Sequence, residues 1–275
     1  MTKPNIRWFD DWYVVDEIAP GLYGIGEPKY YQINWNYLIV GDERALVFDT
    51  GPGVRDITPV VQSLTDRPVT ALLSHLHFDH TGNFHRFADT ALADLPILRD
   101  SMRDGLFHAP EEMFLGARDG VSWTPMAIGQ WWSIGQRVDL GGKELEIVAT
   151  PGHSPESISL FDREQGILLA ADFLYLGNLY GQIPGASLPD YLAAAEALDS
   201  LLPDDALILG AHGKPLPDGT HVAPRLARRD LEDLMTGLNA IRDGELPPLS
   251  QNPDRYRIND RIALLAGPAS YDMWR

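Results

Sequence analysis

The sequence predicts a mixed α/β fold that gathers polar residues at the tips of its strands. Three observations carry this. Short apolar strands recur along the chain and several end in a histidine or an aspartate. Segments with helical spacing alternate with them. The stretch Ser74-His75-Leu76-His77-Phe78-Asp79-His80-Thr81-Gly82 also sets four metal-ligand side chains within six residues.

That stretch begins with a strand. Pro68 to Leu73 is a run of apolar and β-branched residues of the kind that builds a buried strand. His75 and His77 follow at its end, two apart, where extended side chains point the same way. Asp79 and His80 fall on the turn, and Thr81-Gly82-Asn83 breaks the extended chain. Imidazole and carboxylate are the ligands zinc takes when no thiolate is present, and the chain has no cysteine. Four ligands so close cannot all serve one tetrahedral ion, so partners are expected downstream. Leu145 to Gly152 leads into His153, Gly166 to Ala171 into Asp172, and Ala206 to Ala211 into His212. A fourth strand of this design, Ala45 to Phe48, ends in Asp49-Thr50-Gly51. Rigid strands that each deliver one polar residue to a loop make a precise site.

The other elements follow in order. Strands are expected over residues 12–17, 21–25 and 36–48, with Gly41-Asp42-Glu43 as a hairpin turn. Val54 to Leu64 has helical spacing, and further helices are expected near 83–89 and 101–107. Residues 108–135 are irregular and rich in Gly, Pro, Met and Trp, and are read as an insertion. Ser187-Leu188-Pro189-Asp190 carries a capping-box pattern ahead of a helix over Tyr191 to Leu202. Ala223 to Ile241 is the last long helix. Tyr256-Arg257-Ile258 and Ile262 to Leu265 are extended. The expectation is one domain over residues 1–275, with an insertion at about 108–135 and a C-terminal extension at about 216–275.

The set Asp49, His75-x-His77-x-Asp79-His80, His153, Asp172 and His212 resembles the five ordered motifs of the metallo-β-lactamase-fold hydrolase superfamily, nearest in motif to its lactonase, acyl thioesterase and glyoxalase-II-like members. The resemblance spans residues 36 to 215. It implies a four-layer αββα sandwich with two divalent metal ions. By that resemblance His75, His77 and His153 hold one ion, Asp79, His80 and His212 hold the other, Asp172 bridges them, and Asp49 orients ligands from behind. Glyoxalase-II-like members often read Gly-His-Thr-Pro-Gly-Ser at the third motif. Here the segment is Gly152-His153-Ser154-Pro155-Glu156-Ser157, with Glu156 in place of glycine. Zinc suits the donors, and Mn, Fe or Co are also compatible.

Composition excludes several classes. The formal charge of −17 opposes binding to nucleic acid or an anionic membrane. Without cysteine there is no disulfide framework and no thiol nucleophile. No stretch is apolar for 18 residues and the first eight carry no signal-peptide core, so a cytoplasmic protein acting on a small molecule is expected, with a homo-oligomer left open.

The expected chemistry is attack by a hydroxide held between two ions on an acyl carbon. The two ions, Asp79, Asp172 and that hydroxide leave a net charge of about +1. Asp79 is the candidate proton relay. Tyr175, three residues after Asp172, resembles a tyrosine of the acyl-homoserine lactonases of the superfamily whose hydroxyl meets the substrate carbonyl. Acyl-CoA thioesterases look similar at that place. The leading function is therefore hydrolysis of a lactone, ester or thioester of a partly apolar substrate. β-Lactam hydrolysis, phosphodiester cleavage and an iron redox role are the alternatives. Tyr30, Tyr31, Ile33, Trp35, Met113, Phe114, Trp123, Met126, Trp131 and Trp132 are candidates for an apolar wall. His85, His108, His221 and Lys214 have surface or structural readings.

Overall fold

A computed structural model describes residues 5–274. The chain forms two compact units. One runs through Ile147 and takes in Gly213–Ala223; the other comprises Val148–His212 and the chain from Pro224 onward.

The first unit is built on an eight-stranded sheet. Its strands, in spatial order, are Asn5–Trp8, Val14–Ala19, Leu22–Gly26, Trp35–Val40, Ala45–Phe48, Val69–Leu72, Asp89–Ala93 and Gln130–Trp132. The first five form an antiparallel meander. The last four run parallel to one another. Parallel strands have their C-terminal ends on the same edge, so the tips of Ala45–Phe48 and Val69–Leu72 lie side by side. Phe48 pairs with Leu72, which sets Asp49 beside the start of the histidine motif. Apart from Thr70, whose hydroxyl donates to Asp89, these strands are apolar, as strands covered on both faces are.

Several elements here depart from expectation. The first helix is Thr58–Leu64 and omits Val54 to Ile57. Asp56 accepts hydrogen bonds from the Thr58 amide and hydroxyl, and Pro59 fixes the first turn, so the chain cannot enter the helix earlier. Residues 83–89 form only a 3₁₀ turn over Phe84–Arg86 before the strand Asp89–Ala93. The segment 101–107 is not helical. Met102–Arg103 and Leu106–Phe107 pair antiparallel around Asp104-Gly105, both at positive φ. Asp-Gly is the sequence a two-residue hairpin turn of this hand prefers. Within 108–135, Gln130–Trp132 is the last strand of the large sheet.

In the second unit Ile158–Asp162 pairs antiparallel with Ile167–Ala171, which runs parallel to Leu207–Gly210, itself antiparallel to Arg225–Ala227. A separate sheet pairs Gly177–Gly181 with Ile262–Ala266, and that strand with Asp254–Arg257. The helices Leu188–Leu201 and Arg228–Arg242 cover the core through Tyr191, Leu192, Leu198, Leu231, Leu234 and Leu238. Ser187 caps the former, its hydroxyl accepting from the Asp190 amide at 3.3 Å. The latter begins at Arg228 rather than Ala223, because Arg225–Ala227 joins the sheet edge and Asp230 accepts from the Ala227 amide.

Candidate metal centre

In the first unit the ligand turn runs from the strand end through residues 73–77, which carry His75 and His77, into the short helix Phe78–Thr81. His75, His77, Asp79 and His80 are all buried. Asp49 organises them from the neighbouring strand tip. Its Oδ1 accepts from the Ser74 amide at 2.7 Å and its Oδ2 from the Ser74 hydroxyl at 2.7 Å. The same Oδ2 lies 3.0 Å from Nδ1 of His80. A carboxylate can only accept there, so Nδ1 of His80 carries the proton and Nε2 is left with its lone pair. That Nε2 faces Oδ2 of Asp79 at 3.4 Å. The Ser74 hydroxyl has already given its proton to Asp49, so at 2.8 Å it accepts from Nδ1 of His75. Nε2 of His75 is then also a lone-pair nitrogen, 2.8 Å from Nδ1 of His77.

Asn34 orients Asp79, donating to its carbonyl at 2.8 Å and its Oδ2 at 3.0 Å. The preceding residue, Ile33, has φ +53°. That conformation is an outlier for a β-branched residue and costs about 1–3 kcal/mol. It accompanies the placement of Asn34. Glu27 is a further buried carboxylate, fully enclosed, accepting from Nε1 of Trp12 at 2.8 Å and from Asn36 at 3.3 Å. Burial pushes its carboxyl up to about 7, against the opposing pull of those two hydrogen bonds. Neither Asn34 nor Glu27 is among the residues expected from the sequence. Asn34 and Asn36 were detectable as polar residues in an otherwise apolar strand segment. Glu27 had no local signal, because its partners come from distant positions.

In the second unit the strand Ile167–Ala171 delivers Asp172 and Leu207–Gly210 delivers His212. Ala171 pairs with Gly210. Asp172 faces one histidine with each oxygen: Oδ2 is 3.3 Å from Nε2 of His153 and Oδ1 is 3.1 Å from Nε2 of His212. Nδ1 of His153 donates to the Tyr180 carbonyl at 2.9 Å, which fixes the lone pair on Nε2. Tyr191 joins these loops. Its ring stacks on Phe173 at 4.8 Å and its hydroxyl donates to the Phe173 carbonyl. Gly152, at φ +138°, lies so close to Tyr191 that a Cβ there would come within 2.3 Å of the ring. Glycine before His153 is thus a packing requirement. Glu156 in the same loop is buried.

Tyr175 is buried against His212, its ring 5.0 Å away in an edge-on contact. Its hydroxyl donates to the Asn178 carbonyl at 2.6 Å. The single phenolic proton thus meets a carbonyl of the protein.

Of the apolar-wall candidates, Phe114, Trp123 and Met126 line one cavity. Trp35 is core, Trp131 stacks under the Arg99 guanidinium at 4.0 Å, and Tyr31 is exposed. His221 packs edge-on against Trp8, and burial lowers its pKa. Lys214 is exposed. No helix is long and apolar enough to cross a membrane among the described residues.

The residues fit a bound cation. Buried imidazoles with fixed lone pairs stand next to carboxylates, a donor set made for a divalent ion. Among the described residues, the His and Asp groups that could hold a metal are drawn entirely from His75, His77, Asp79, His80, His153, Asp172 and His212. Fold and donor set together define an α/β protein of the metal-dependent hydrolase class. The sequence profile described as "Metallo-beta-lactamase superfamily" matches residues 32–212, and the chain belongs to that superfamily.

Its relatives agree. The chain is 28% identical over 218 residues to the acyl-coenzyme A thioesterase MBLAC2 of Homo sapiens, covering 70% of this chain and 77% of that protein. It is 26% identical over 179 residues to the probable metallo-hydrolase YqgX of Bacillus subtilis, covering 64% and 83%. Hydroxyacylglutathione hydrolase of Aeromonas hydrophila is 30% identical over 194 residues, covering 70% and 65%. Among solved structures, the metallo-beta-lactamase family protein TTHA1429 of Thermus thermophilus superposes with a TM-score of 0.56 at 21% identity, covering 82% of each chain. A metallo-beta-lactamase from Pontibacter korlensis gives 0.57 at 16% identity, covering 86% and 99%. These two likenesses establish the metallo-β-lactamase fold.

Proposed function

We propose that this enzyme hydrolyses a thioester, ester or lactone bond of a small, partly apolar acyl compound, using two divalent ions. His75, His77 and His153 would hold one ion, Asp79, His80 and His212 the other, and Asp172 would bridge them. The observation that carries this reading is the donor set itself: buried lone-pair nitrogens flanking carboxylates, in the order the superfamily uses. The relatives named for acyl-coenzyme A and hydroxyacylglutathione hydrolysis support an acyl bond. Zinc is the ion that the donor set favours.

When bound, the ions activate water at neutral pH and polarise the acyl carbonyl. The protein's own groups do the rest. Asp49 holds His80 and, through Ser74, His75 in one tautomer each. Asp79, oriented by Asn34, takes the proton of the attacking water and returns it to the leaving group. Tyr175 acts as a positioning residue, its ring steadying His212. The acidic surface repels polyanions at long range, which favours a small substrate over RNA.

A turnover screen of metal-loaded protein on a lactone, an acyl thioester, a cephalosporin and bis-p-nitrophenyl phosphate tests the reading. The acyl compounds should show the highest kcat/KM. Fast cleavage of the phosphodiester or cephalosporin, with lactone and thioester untouched, would sink it.

A further inference from the structure

A cavity of about 340 Å³ lies in the first unit, on the side of the ligand turn formed by Thr81 and Gly82. Its floor is backbone. Gly53 and Gly82 cross so closely that a Cβ on Gly82 would come within 2.2 Å of Pro52. Its walls are Phe84, Phe114, Trp123 and Met126. No Asp, Glu, Lys or Arg lines it.

The walls are held rigidly. Nε1 of Trp123 donates to the Phe107 carbonyl at 3.0 Å, so the only polar atom of the indole is satisfied inside the protein. The ring is wedged edge-on between Phe107 at 5.6 Å and Phe114 at 5.9 Å. Paired hydrogen bonds between Phe107 and Met126 hold the segment that carries Met126 against the hairpin. What remains for an occupant is mostly apolar ring face, thioether and backbone, with His85, Ser122 and Thr124 exposed at the rim and the Thr81 hydroxyl bonded to the Phe78 carbonyl. The volume is within the ~300–1,000 Å³ of ligand sites and more than twice the ~150 Å³ that holds a benzene ring.

We infer that this cavity binds an uncharged aliphatic chain and that, on the hydrolase reading above, the chain is the acyl group of the substrate. Three features choose that occupant. The lining offers no lysine or arginine for a phosphate or carboxylate, and its one imidazole, His85, is exposed at the rim, so the body of the cavity suits an uncharged group. The walls are apolar yet open to water, an arrangement that gains free energy only when filled by something apolar. The floor residue Gly82 is two positions from His80, so a chain seated there begins next to the ligand turn.

The test uses 1-alkanols from butanol to decanol as non-reacting probes, titrated calorimetrically into the full-length protein. Affinity should rise about three- to fourfold per added carbon, the factor that ~0.8 kcal/mol per buried methylene gives, and then level off once the cavity is full. Ser122→Trp and, separately, Thr124→Phe place bulk at the exposed rim and should abolish the rise; circular dichroism confirms that each variant is folded. In parallel, kcat/KM on N-acetylcysteamine thioesters from acetyl to decanoyl should climb with chain length in the wild type and stay flat in the folded variants. Alkanol affinity that does not depend on length, or that is unchanged in both rim variants, would overturn the inference. So would thioester cleavage with no preference for length. Length-dependent alkanol binding without cleavage of any acyl compound would instead overturn the hydrolase reading, leaving the cavity's ligand class standing.

Discussion

Oδ2 of Asp49 lies 3.0 Å from Nδ1 of His80 and 2.7 Å from the hydroxyl of Ser74, which passes the same constraint to His75. One buried carboxylate thus sets the tautomers of two imidazoles. Asp49 also has φ +65°, a left-handed conformation that aspartate tolerates better than most residues. Asp49→Ala should weaken metal binding by about 10–100-fold, the usual cost of losing a group that orients a ligand. Competition against a chromophoric chelator measures this directly. Affinity equal to wild type would show that the histidines do not need the constraint.

Asp172 gives one oxygen to each of two histidines. Elemental analysis of carefully purified wild-type protein should find two ions per chain. Asp172→Ala should hold one or fewer and lose nearly all turnover. Full metal content and activity in that variant would remove the bridging assignment. Dialysis against a strong chelator should likewise abolish turnover, with recovery when metal is restored.

Tyr175→Phe removes the hydroxyl that donates to the Asn178 carbonyl and accepts from the Tyr180 backbone. A net loss of about 1 kcal/mol in stability is expected for such a bond. The rate on the best acyl substrate should fall less than tenfold, with the ring still against His212. Loss of a donor to the oxyanion would cost far more, about 2.7–4 kcal/mol in barrier. A thousandfold drop in kcat with unchanged stability would restore the tyrosine to direct contact with substrate.

Glu27 gives a pH signature. Its folded-state pKa of about 7 lies above the ordinary 4.5, so the native state holds a proton that the unfolded chain releases. Between those values stability falls as pH rises, and the penalty is complete above about pH 7. Glu27→Gln cannot ionise. The variant's stability relative to wild type, from urea midpoints of metal-free protein, should therefore improve between pH 5 and pH 8 by a few kcal/mol. A difference independent of pH would mean that Glu27 titrates normally.

The candidate ligands were legible because each follows a short apolar strand, and strand tips are local features of sequence. Asp49, His153, Asp172 and His212 all follow this rule. The elements that escaped notice are those decided by distant contacts. Asp89–Ala93 and Gln130–Trp132 gain strand character by pairing with each other across a long intervening segment. Arg225–Ala227 is drawn to a sheet edge although it reads as the first turn of a helix. The hairpin over 102–107 was a different kind of miss, since Asp104-Gly105 announced it. Glu27 was illegible because Trp12 and Asn36, which make its burial tolerable, lie 15 and 9 positions away.

The ligand turn is held by protein alone. Thr50 donates to the His80 carbonyl through both its amide and its hydroxyl, the Gly82 amide donates to Gly51, and Asn83 donates to Thr50 and Arg55. These bonds, with the glycine crossing beneath them, join protein groups to one another and use none of the ligand side-chain atoms. The first four donors are therefore expected to be ordered before a cation arrives. Metal uptake by this half should be a simple bimolecular capture with no lag for chain rearrangement. The metal-free protein should also keep this corner of its structure, with slow amide exchange at Thr50 and Gly82.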